Sequence, residues 1–296
     1  MNTVTSITPH ANAPTGSARS IGDILVATGR LSAEDATRIL LRQQQENIQF
    51  GDAALALNVL TKTDIDFALS QQFEYAYLTD QDTSLSPALV AAYKPFSRVG
   101  ENLRAVRSQL MLRWFNANPT RKVLAVVSPG AHEGRSFIAA NLAIVFEQQG
   151  EGTLLIDGDL RASPGTDQHA LFKLGRSAGL SGILAGRAGL EAAQSVPGLP
   201  GLSVLPAGAV PPNPQELLGR AAFGELLRAA SQQFDVIIID TPAGGTYADA
   251  EIIASCAGAA LMVARKNKSL VPQATLLARR LQDSGVALVG SVLNDD

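Results

Sequence analysis

A short apolar strand, a turn-rich loop and a helix follow one another from residue 123, and this unit constrains the fold more than any other feature of the sequence. Val123–Val127 is typical of a buried strand, residues 128–136 are rich in turn formers, and residues 137–149 have helical spacing. Thr153–Ile156 is predicted to be the next strand. A loop that leaves a strand and opens a helix directs backbone N–H groups and the helix dipole at one point, which suits an anion. The unit therefore predicts an α/β fold with an anion-binding loop.

The loop ends in Gly134, Arg135 and Ser136, which resembles the ending of the phosphate-binding pattern G-x-x-x-x-G-K-[ST]. Pro129 takes the place of the first glycine, and Arg135 takes the place of the lysine. Arginine keeps the positive charge and can contact phosphate with two N–H groups, although its planar fork is bulkier. His132 restricts the backbone at a point where glycine would leave it free. By itself, the loop fits either a phosphate site or an ordinary glycine-rich turn.

Three aspartates stand at the ends of two other apolar strands. Asp157 and Asp159 follow the strand that begins at Thr153, and Asp240 follows the run Val236–Ile239. Because the carboxyl ends of parallel strands gather at one edge of a sheet, we expect these carboxylates to lie beside the loop. Mg²⁺ prefers oxygen ligands and keeps several of its waters. A single strand-end aspartate is usually a turn residue, but three of them beside such a loop predict a magnesium site.

Together these motifs resemble the bacterial tyrosine kinase (BY-kinase) family of polysaccharide export, and within it the chain-length-determinant tyrosine kinases of exopolysaccharide systems. A proline-rich stretch over residues 205–218 and a closing strand over residues 290–294 add to the resemblance, which covers about residues 97–294. It implies a MinD/ParA-like P-loop α/β fold, with a mostly parallel sheet and helices on both faces, preceded by a small all-helical domain. It also implies an ATP-dependent protein-tyrosine kinase that regulates exopolysaccharide chain length and export.

The resemblance further implies a role for each residue of the predicted site. The catalytic residues would be Asp157, which orients a substrate tyrosine or accepts its proton, and Arg135, which contacts the β- and γ-phosphates. ATP would be bound by Gly130, Ala131, His132, Glu133, Gly134, Arg135, Ser136, Phe137 and Asn294. Mg²⁺ would be held by Ser136, Asp159 and Asp240. Asn294 would contact adenine, although an asparagine at a strand end is also a common turn residue.

An E-x-x-R-x-x-R run, formed by Glu101, Arg104 and Arg107, places three charges along one face of a predicted helix. The resemblance implies ring-like self-assembly through this face, whereas a solvated face with salt bridges has the same pattern. It also implies activation by a separate membrane chain-length determinant (a polysaccharide co-polymerase), and hence a cytoplasmic location at the inner membrane. Many family members have a C-terminal tyrosine cluster. The four tyrosines here are Tyr75, Tyr77, Tyr93 and Tyr247, so we expect the substrate tyrosine elsewhere in the chain or on a partner.

The N-terminal part contains an internal repeat. Aligning Gly22 with Gly51 gives a period of 29 residues, and each copy reads as a short helix, a turn and a longer helix. Ser32 and Thr61 are predicted to cap the longer helices. The pair resembles the N-terminal module of type II secretion and pilus ATPases, some relatives of which bind cyclic di-GMP through an Arg-Leu-Gly opening. Both openings lack the arginine here, so we prefer docking to another protein over binding of cyclic di-GMP.

We therefore expect four parts along the chain: a disordered tail over residues 1–19, a two-repeat helical module over 20–78, a linker over 79–96 and a P-loop kinase domain over 97–296. The linker assignment depends on two prolines, several polar residues and weak periodicity.

The composition excludes several classes of protein. The formal net charge is -3, so no overall basic field indicates binding of nucleic acid. With one cysteine, Cys256, and three histidines, no intrachain disulfide can form and no Cys/His zinc site is expected. We expect no signal peptide, because an early basic region followed by an apolar run of ~7–15 residues is missing. We expect no membrane span, because the apolar runs are far shorter than the ~20 residues that a span needs. These features fit a reducing cytoplasm.

Two alternatives to a tyrosine kinase stay open. Arg135, His132 and the absence of a tyrosine-rich tail favour an ATP-binding assembly switch that phosphorylates nothing. A MinD/ParA-type positioning ATPase would have an extra lysine near the start of the loop, where this chain has Pro129, Gly130 and Ala131.

Overall fold

The computed structural model describes residues 20–72, 78, 82–162 and 167–295. The chain divides into two compact units, residues 1–75 and residues 76–296. The predicted disordered tail, residues 1–19, lies outside the described residues. Among the described helices, none combines the length and the apolar character needed to cross a bilayer.

The first unit consists of four helices in two similar pairs, each a short helix followed by a longer one. They are α1 (Ile21–Ala27), α2 (Ala33–Glu46), α3 (Phe50–Ala56) and α4 (Lys62–Gln72). The Oγ atom of Ser32 accepts a hydrogen bond from the N–H of Asp35, and Thr61 makes the same bond with Asp64. The predicted repeat and both predicted caps are therefore present. The buried side chains of this unit form a core of their own: Ile24, Leu25, Leu31, Ile39, Ala53, Ala54, Leu60 and Ala68.

The second unit is a layered α/β domain. Its strands are β1 (Val123–Val127), β2 (Thr153–Asp157), β3 (Gln194–Val196), β4 (Leu199–Leu205), β5 (Val236–Asp240), β6 (Ala259–Arg265) and β7 (Ala287–Asn294). Its helices are α5 (Val90–Tyr93), α6 (Arg98–Leu110), α7 (Arg135–Glu147), α8 (Gln168–Leu171), α9 (Gly179–Leu184), α10 (Pro214–Leu218), α11 (Ala221–Gln233), α12 (Asp249–Ala257) and α13 (Val271–Asp283). A π-helical turn, Met111–Phe115, extends α6.

Within the described residues the strands form one seven-stranded sheet in the order β3-β4-β2-β5-β1-β6-β7. All neighbouring strands are parallel except β3 and β4. Along β5, Val236 and Ile238 point into one core while Ile237 and Ile239 point into the other. Strands buried on both faces read as continuous apolar runs, which is why the sequence identified β1, β2 and β5. The first core also contains residues of α5, α6 and α7, and the second contains residues of α9, α11, α12 and α13, so helices cover both faces of the sheet as predicted.

The predicted linker over residues 79–96 needs correction in its described part. Leu85, Leu89, Ala91 and Ala92 are buried in the core beside α7, and the side-chain amide of Asn141 bonds to the backbone of residues 88 and 91. Residues 82–96 are thus part of the second unit, which does not begin at residue 97. The prolines and polar residues of this segment resembled a linker because its few apolar side chains are spaced without a helical or strand period.

Candidate functional site

The carboxyl ends of β2, β5 and β1 lie side by side because these strands are neighbours in the sheet. Asp157 at the end of β2 is paired across from Asp240 at the end of β5. On the other side of β5, β1 leads into the loop of residues 128–134. The Thr241 hydroxyl donates to the carbonyl of Val126 at 2.8 Å, which ties the end of β5 to β1. The structure thus brings the predicted loop and the predicted strand-end carboxylates to one edge.

The loop is braced by the side chain of Glu133, which is buried. One carboxylate oxygen accepts a hydrogen bond from the N–H of Gly130 at 2.8 Å, and the other accepts one from the hydroxyl of Ser269. His132 has a φ of 57° and Gly134 a φ of 92°. Both residues therefore lie in the left-handed region that favours glycine, as expected for a loop that turns sharply before a helix.

Residues in and next to β6 and β7 donate hydrogen bonds to backbone carbonyls of the loop. Arg265 and Lys268 donate to the carbonyl of His132 at 3.2 and 3.3 Å. The side-chain amide of Asn294 donates to the carbonyl of Glu133 at 3.3 Å. A methyl group on Gly134 would push that amide aside, and the φ of 92° would strain any other residue, so both features favour glycine at this position.

Arg135, at the start of α7, is almost fully buried and lies between the loop and the aspartates. Its Nη1 atom donates to the Ser128 hydroxyl at 2.6 Å, and its Nε atom donates to the carbonyl of Thr241. Its guanidinium also lies 3.7 Å from Asp240 and 3.9 Å from Asp159. The side chain thus reaches the carboxylates of two strand ends as well as the loop.

Asp157 lies at the base of the site with 1% of its surface exposed. Its Oδ1 atom accepts a hydrogen bond from the N–H of Asp159 at 3.2 Å, and its Oδ2 atom accepts one from the N–H of Gln168 at 3.0 Å. Burial raises the pKa of Asp157 well above its ordinary value, and the charge of Asp240 raises it further, while the two backbone bonds oppose both effects. An ionised Asp157 is therefore a stronger base than an aspartate in water.

The other two carboxylates differ in exposure. Burial raises the pKa of Asp240, against the opposing charge of Arg135 and hydrogen bonds from the side chains of Ser136 and Gln168. Burial also raises the pKa of Asp159, whose side chain is 21% exposed and is thus the most open of the three. In the absence of a cation, the site holds more carboxylates than it can readily keep ionised.

A cleft of about 460 Å³ opens at this edge of the sheet. Its size lies within the range of small-molecule sites. Its lining includes most of the predicted site residues: Ala131, His132, Glu133, Gly134, Arg135, Ser136, Phe137, Asp157, Asp159 and Asp240. Gly130 and Asn294 are not part of that lining. Gly130 donates to Glu133, and Asn294 packs behind the loop.

Several other residues of the site were missed by sequence reasoning. Arg161 also lines the cleft and forms two hydrogen bonds, of 2.7 and 3.2 Å, with the fully buried carboxylate of Asp249. Its guanidinium stacks 4.0 Å from the centre of the Tyr247 ring, which lines the cleft as well. Arg161 stands two residues after Asp159, and this closeness was a usable signal. Gln168 bridges three parts of the site, and no motif points to it.

The residues present fit a hydrated divalent cation. Oδ1 of Asp240 is buried and has no hydrogen-bond partner among the described residues, and the three aspartates outnumber the one arginine between them. Within the part of the chain that the structure describes, no three His, Cys, Asp or Glu side chains are grouped to hold a metal ion on their own. The set of Ser136, Asp159 and Asp240 stays a prediction; Mg²⁺ commonly takes one or two carboxylates and completes its shell with waters and phosphates.

Comparison with known proteins identifies the same architecture. The tyrosine-protein kinase Wzc of Salmonella typhimurium is 34% identical over 206 residues, which are 70% of this chain and 28% of Wzc. The kinase domain of the Escherichia coli tyrosine kinase ETK matches with a TM-score of 0.66 and 32% identity over 75% of this chain and 85% of that domain. The cell division ATPase MinD of Pyrococcus furiosus matches with a TM-score of 0.50 and 27% identity over 58% of this chain and 71% of MinD. No family model matches the chain.

The fold and the site define a P-loop protein of the MinD type. Because the chain covers 85% of the ETK kinase domain at 32% identity, it belongs to the family of bacterial tyrosine-protein kinases. The predicted family and fold class are thereby confirmed. The chain spans less than a third of the length of Wzc.

Proposed function

We propose that the chain is an ATP-dependent protein-tyrosine kinase that regulates exopolysaccharide chain length and export. The observation that carries the proposal is the meeting of the loop, Arg135 and three strand-end aspartates in one cleft of a bacterial tyrosine-protein kinase fold. Phosphoryl transfer requires mainly positioning and stabilisation of charge, and these groups supply both.

The loop would bind the phosphates of ATP through the N–H groups of residues 131–134 and the positive end of α7. Arg135 would add a cation at the β- and γ-phosphates. Ser136 would bind Mg²⁺ through its hydroxyl, while Asp159 and Asp240 would hold its waters. When bound, the cation would neutralise charge that develops on the phosphate oxygens.

Asp157 would orient the hydroxyl of a substrate tyrosine or accept its proton. Its burial and the charge of Asp240 support this role, because both raise its pKa and so strengthen its ionised form as a base. Among the described tyrosines, Tyr93 has its hydroxyl bonded to the backbone of Leu85, whereas Tyr247 is 46% exposed and lines the cleft. Tyr75 and Tyr77 lie outside the described residues.

Mg-ATP binding and phosphotyrosine formation test the proposal in two steps. We expect Asp240→Ala to abolish tight Mg-ATP binding by the full chain, with Asp283→Ala, an exposed carboxylate in α13, as the control. We expect Asp157→Ala to retain Mg-ATP binding and to lose phosphotyrosine, measured by mass spectrometry. Tight binding that is untouched by Asp240→Ala would contradict the site assignment.

An ATP-controlled assembly switch without kinase activity is the second candidate. It is favoured by the hydrogen bonds from Arg135 to Thr241 and Ser128, because these bonds must break before the guanidinium can move toward a phosphate during transfer. The two candidates differ in one measurement. Phosphotyrosine that requires a membrane partner and disappears in Asp157→Ala would defeat the switch.

The partner and the assembly are part of the same proposal. We propose a separate membrane chain-length determinant as activator, a cytoplasmic location beside it, and self-assembly through the face of α6 that contains Glu101, Arg104 and Arg107. Arg104 pairs with Glu101 on its own helix, and Arg107 donates to the carbonyl of Val145 at 2.8 Å. Assembly through this face would therefore replace existing bonds. Sedimentation of Arg104→Ala beside the parent chain, with and without Mg-ATP, measures its contribution.

A further inference from the structure

Gln168, the first residue of α8, lies completely buried between three parts of the site. Its backbone N–H donates to Oδ2 of Asp157 at 3.0 Å. Its side-chain Nε2 atom donates to Oδ2 of Asp240 at 2.8 Å and to the backbone carbonyl of Ser136 at 3.1 Å. One residue thus connects the ends of β2 and β5 with the first turn of α7.

We infer that Gln168 is a positioning residue that sets the geometry of the divalent-cation half of the site, by fixing Asp240 and the helix turn that contains Ser136. This inference rests on the proposed function, because it assumes that the cation is held by these two residues.

The two acceptors fix the orientation of the amide. Nε2 donates to two oxygen atoms, and the Ser136 carbonyl can only accept, so the reversed amide would place Oε1 against that carbonyl. In the observed orientation, Oε1 of Gln168 is buried without a partner among the described residues. A buried amide oxygen without a partner costs free energy, which indicates that the two donated bonds outweigh the unmade one.

The Gln168 amide also leaves the Asp240 carboxylate with the negative charge that a cation site needs. A neutral donor holds Oδ2 without cancelling the negative charge. Oδ1 of Asp240 is buried and makes no hydrogen bond among the described residues, and Nε of Arg135 lies 3.7 Å from it. Because the same Nε2 atom also holds the Ser136 carbonyl, it limits how far Ser136 and Asp240 can move apart.

Such outer residues commonly act through the groups that hold a metal, and their loss typically weakens metal affinity by about 10–100-fold. The substitution Gln168→Met keeps the length of the side chain and removes both donated side-chain bonds. Gln168→Glu keeps the shape but turns an oxygen toward two acceptors. Gln148→Met is the matched control, because it removes an amide bond of 2.9 Å to the carbonyl of Ala91, away from the cleft.

The test uses the full chain and a fluorescent ADP, titrated first in EDTA and then at increasing Mg²⁺. We expect Gln168→Met and Gln168→Glu to need about 10–100-fold more Mg²⁺ for the metal-dependent gain in affinity, with unchanged affinity in EDTA. The control should behave like the parent chain. Thermal unfolding verifies that each variant folds, and either Gln168 variant suffices if the other does not.

Each result has one meaning. Equal loss of affinity in EDTA and in Mg²⁺ would indicate a merely structural role and overturn the inference, as would a Mg²⁺ requirement like that of the parent chain. If the parent chain binds no nucleotide at all, the proposed function is contradicted, and the inference that rests on it is contradicted with it.

Discussion

Nε of Arg135 lies 3.7 Å from Oδ1 of Asp240, so the cation at the start of α7 directly faces a carboxylate at the end of β5. The same guanidinium bonds to Ser128 and to the Thr241 carbonyl. Arg135 therefore joins the loop to the sheet, a task for which the planar fork of arginine is suited and the single ammonium group of lysine is not.

Replacing Arg135 with lysine should lower the stability of the nucleotide-free protein. Lysine cannot donate to Ser128 and Thr241 in the same fork geometry, and the loss of hydrogen bonds from a charged group costs about 1.5–3 kcal/mol. Urea unfolding of Arg135→Lys beside the parent chain measures the difference. The exposed Arg187→Lys is the control, and an equal effect of both substitutions would argue against the bracing role.

The three aspartates predict a pH dependence of the metal-free protein. Because the pKa of Asp157, Asp159 and Asp240 is raised by folding, the folded state binds more protons than the unfolded chain between their ordinary and raised pKa values. Their contribution to the free energy of unfolding is therefore greatest at low pH and falls as the pH rises through that window. Within that window, each carboxyl group that is protonated only in the folded state makes the free energy of unfolding fall by about 1.4 kcal/mol for every unit by which the pH rises.

Asp240→Asn removes the contribution of one of these three carboxyl groups to the pH dependence. In EDTA, we expect its free energy of unfolding to increase relative to that of the parent chain as the pH rises from about 4, near the ordinary aspartate pKa. Asp283→Asn, which changes an exposed carboxylate, should show no such trend. Mg²⁺ and nucleotide together should reduce the difference, because a bound cation favours the ionised carboxylates. A difference that stays constant with pH would contradict the prediction.

The pair of Arg161 and Asp249 predicts an asymmetry between two single substitutions. Asp249 is fully buried, whereas the Arg161 side chain is 28% exposed. Arg161→Ala leaves the buried Asp249 carboxylate without its partner and should lower the free energy of unfolding by about 3–5 kcal/mol. Asp249→Ala leaves an arginine that water can reach and should lower it by about 1.5–3 kcal/mol. The double variant should be more stable than Arg161→Ala alone. Chemical denaturation of all four proteins measures this cycle, and a double variant less stable than either single one would refute it.

The separate core of the first unit predicts that it can be unfolded selectively. Ile39 is completely buried in that core. Ile39→Ala should lower the free energy of unfolding of the first unit by about 2–5 kcal/mol, which is a large loss for so small a domain. We expect loss of helical circular dichroism with nucleotide binding by the second unit retained. Leu41→Ala, on the same helix at a side chain that is 53% exposed, is the control. Parallel loss of nucleotide binding in Ile39→Ala would show that the two units depend on each other.

The predictions that succeeded depend on short-range patterns. The strands at Val123 and Val236 were found because parallel strands buried on both faces form apolar runs. The aspartates at the strand ends could be placed together because neighbouring parallel strands end at one edge of a sheet. The caps at Ser32 and Thr61 were found because a cap bond spans only three residues.

The failures concern contacts between distant residues. Residues 82–96 were assigned to a linker, since nothing in their composition shows that Leu85 and Leu89 are buried beside α7. The side-chain amide of Asn294 donates to the carbonyl of Glu133, 161 residues away, which no local pattern indicated, and its contact with adenine stays a prediction.

The sequence by itself determined which strands, turns and charged groups this protein has, because hydrophobic periodicity, capping and strand-end carboxylates are local properties of the chain. Only the tertiary structure decided how these groups are held. Arg135 reaches Thr241 across 106 residues and Gln168 reaches Asp240 across 72. Bonds of that span depend on the order of strands in the sheet and on which side chains reach each other across its edge, and no pattern in neighbouring residues encodes these contacts.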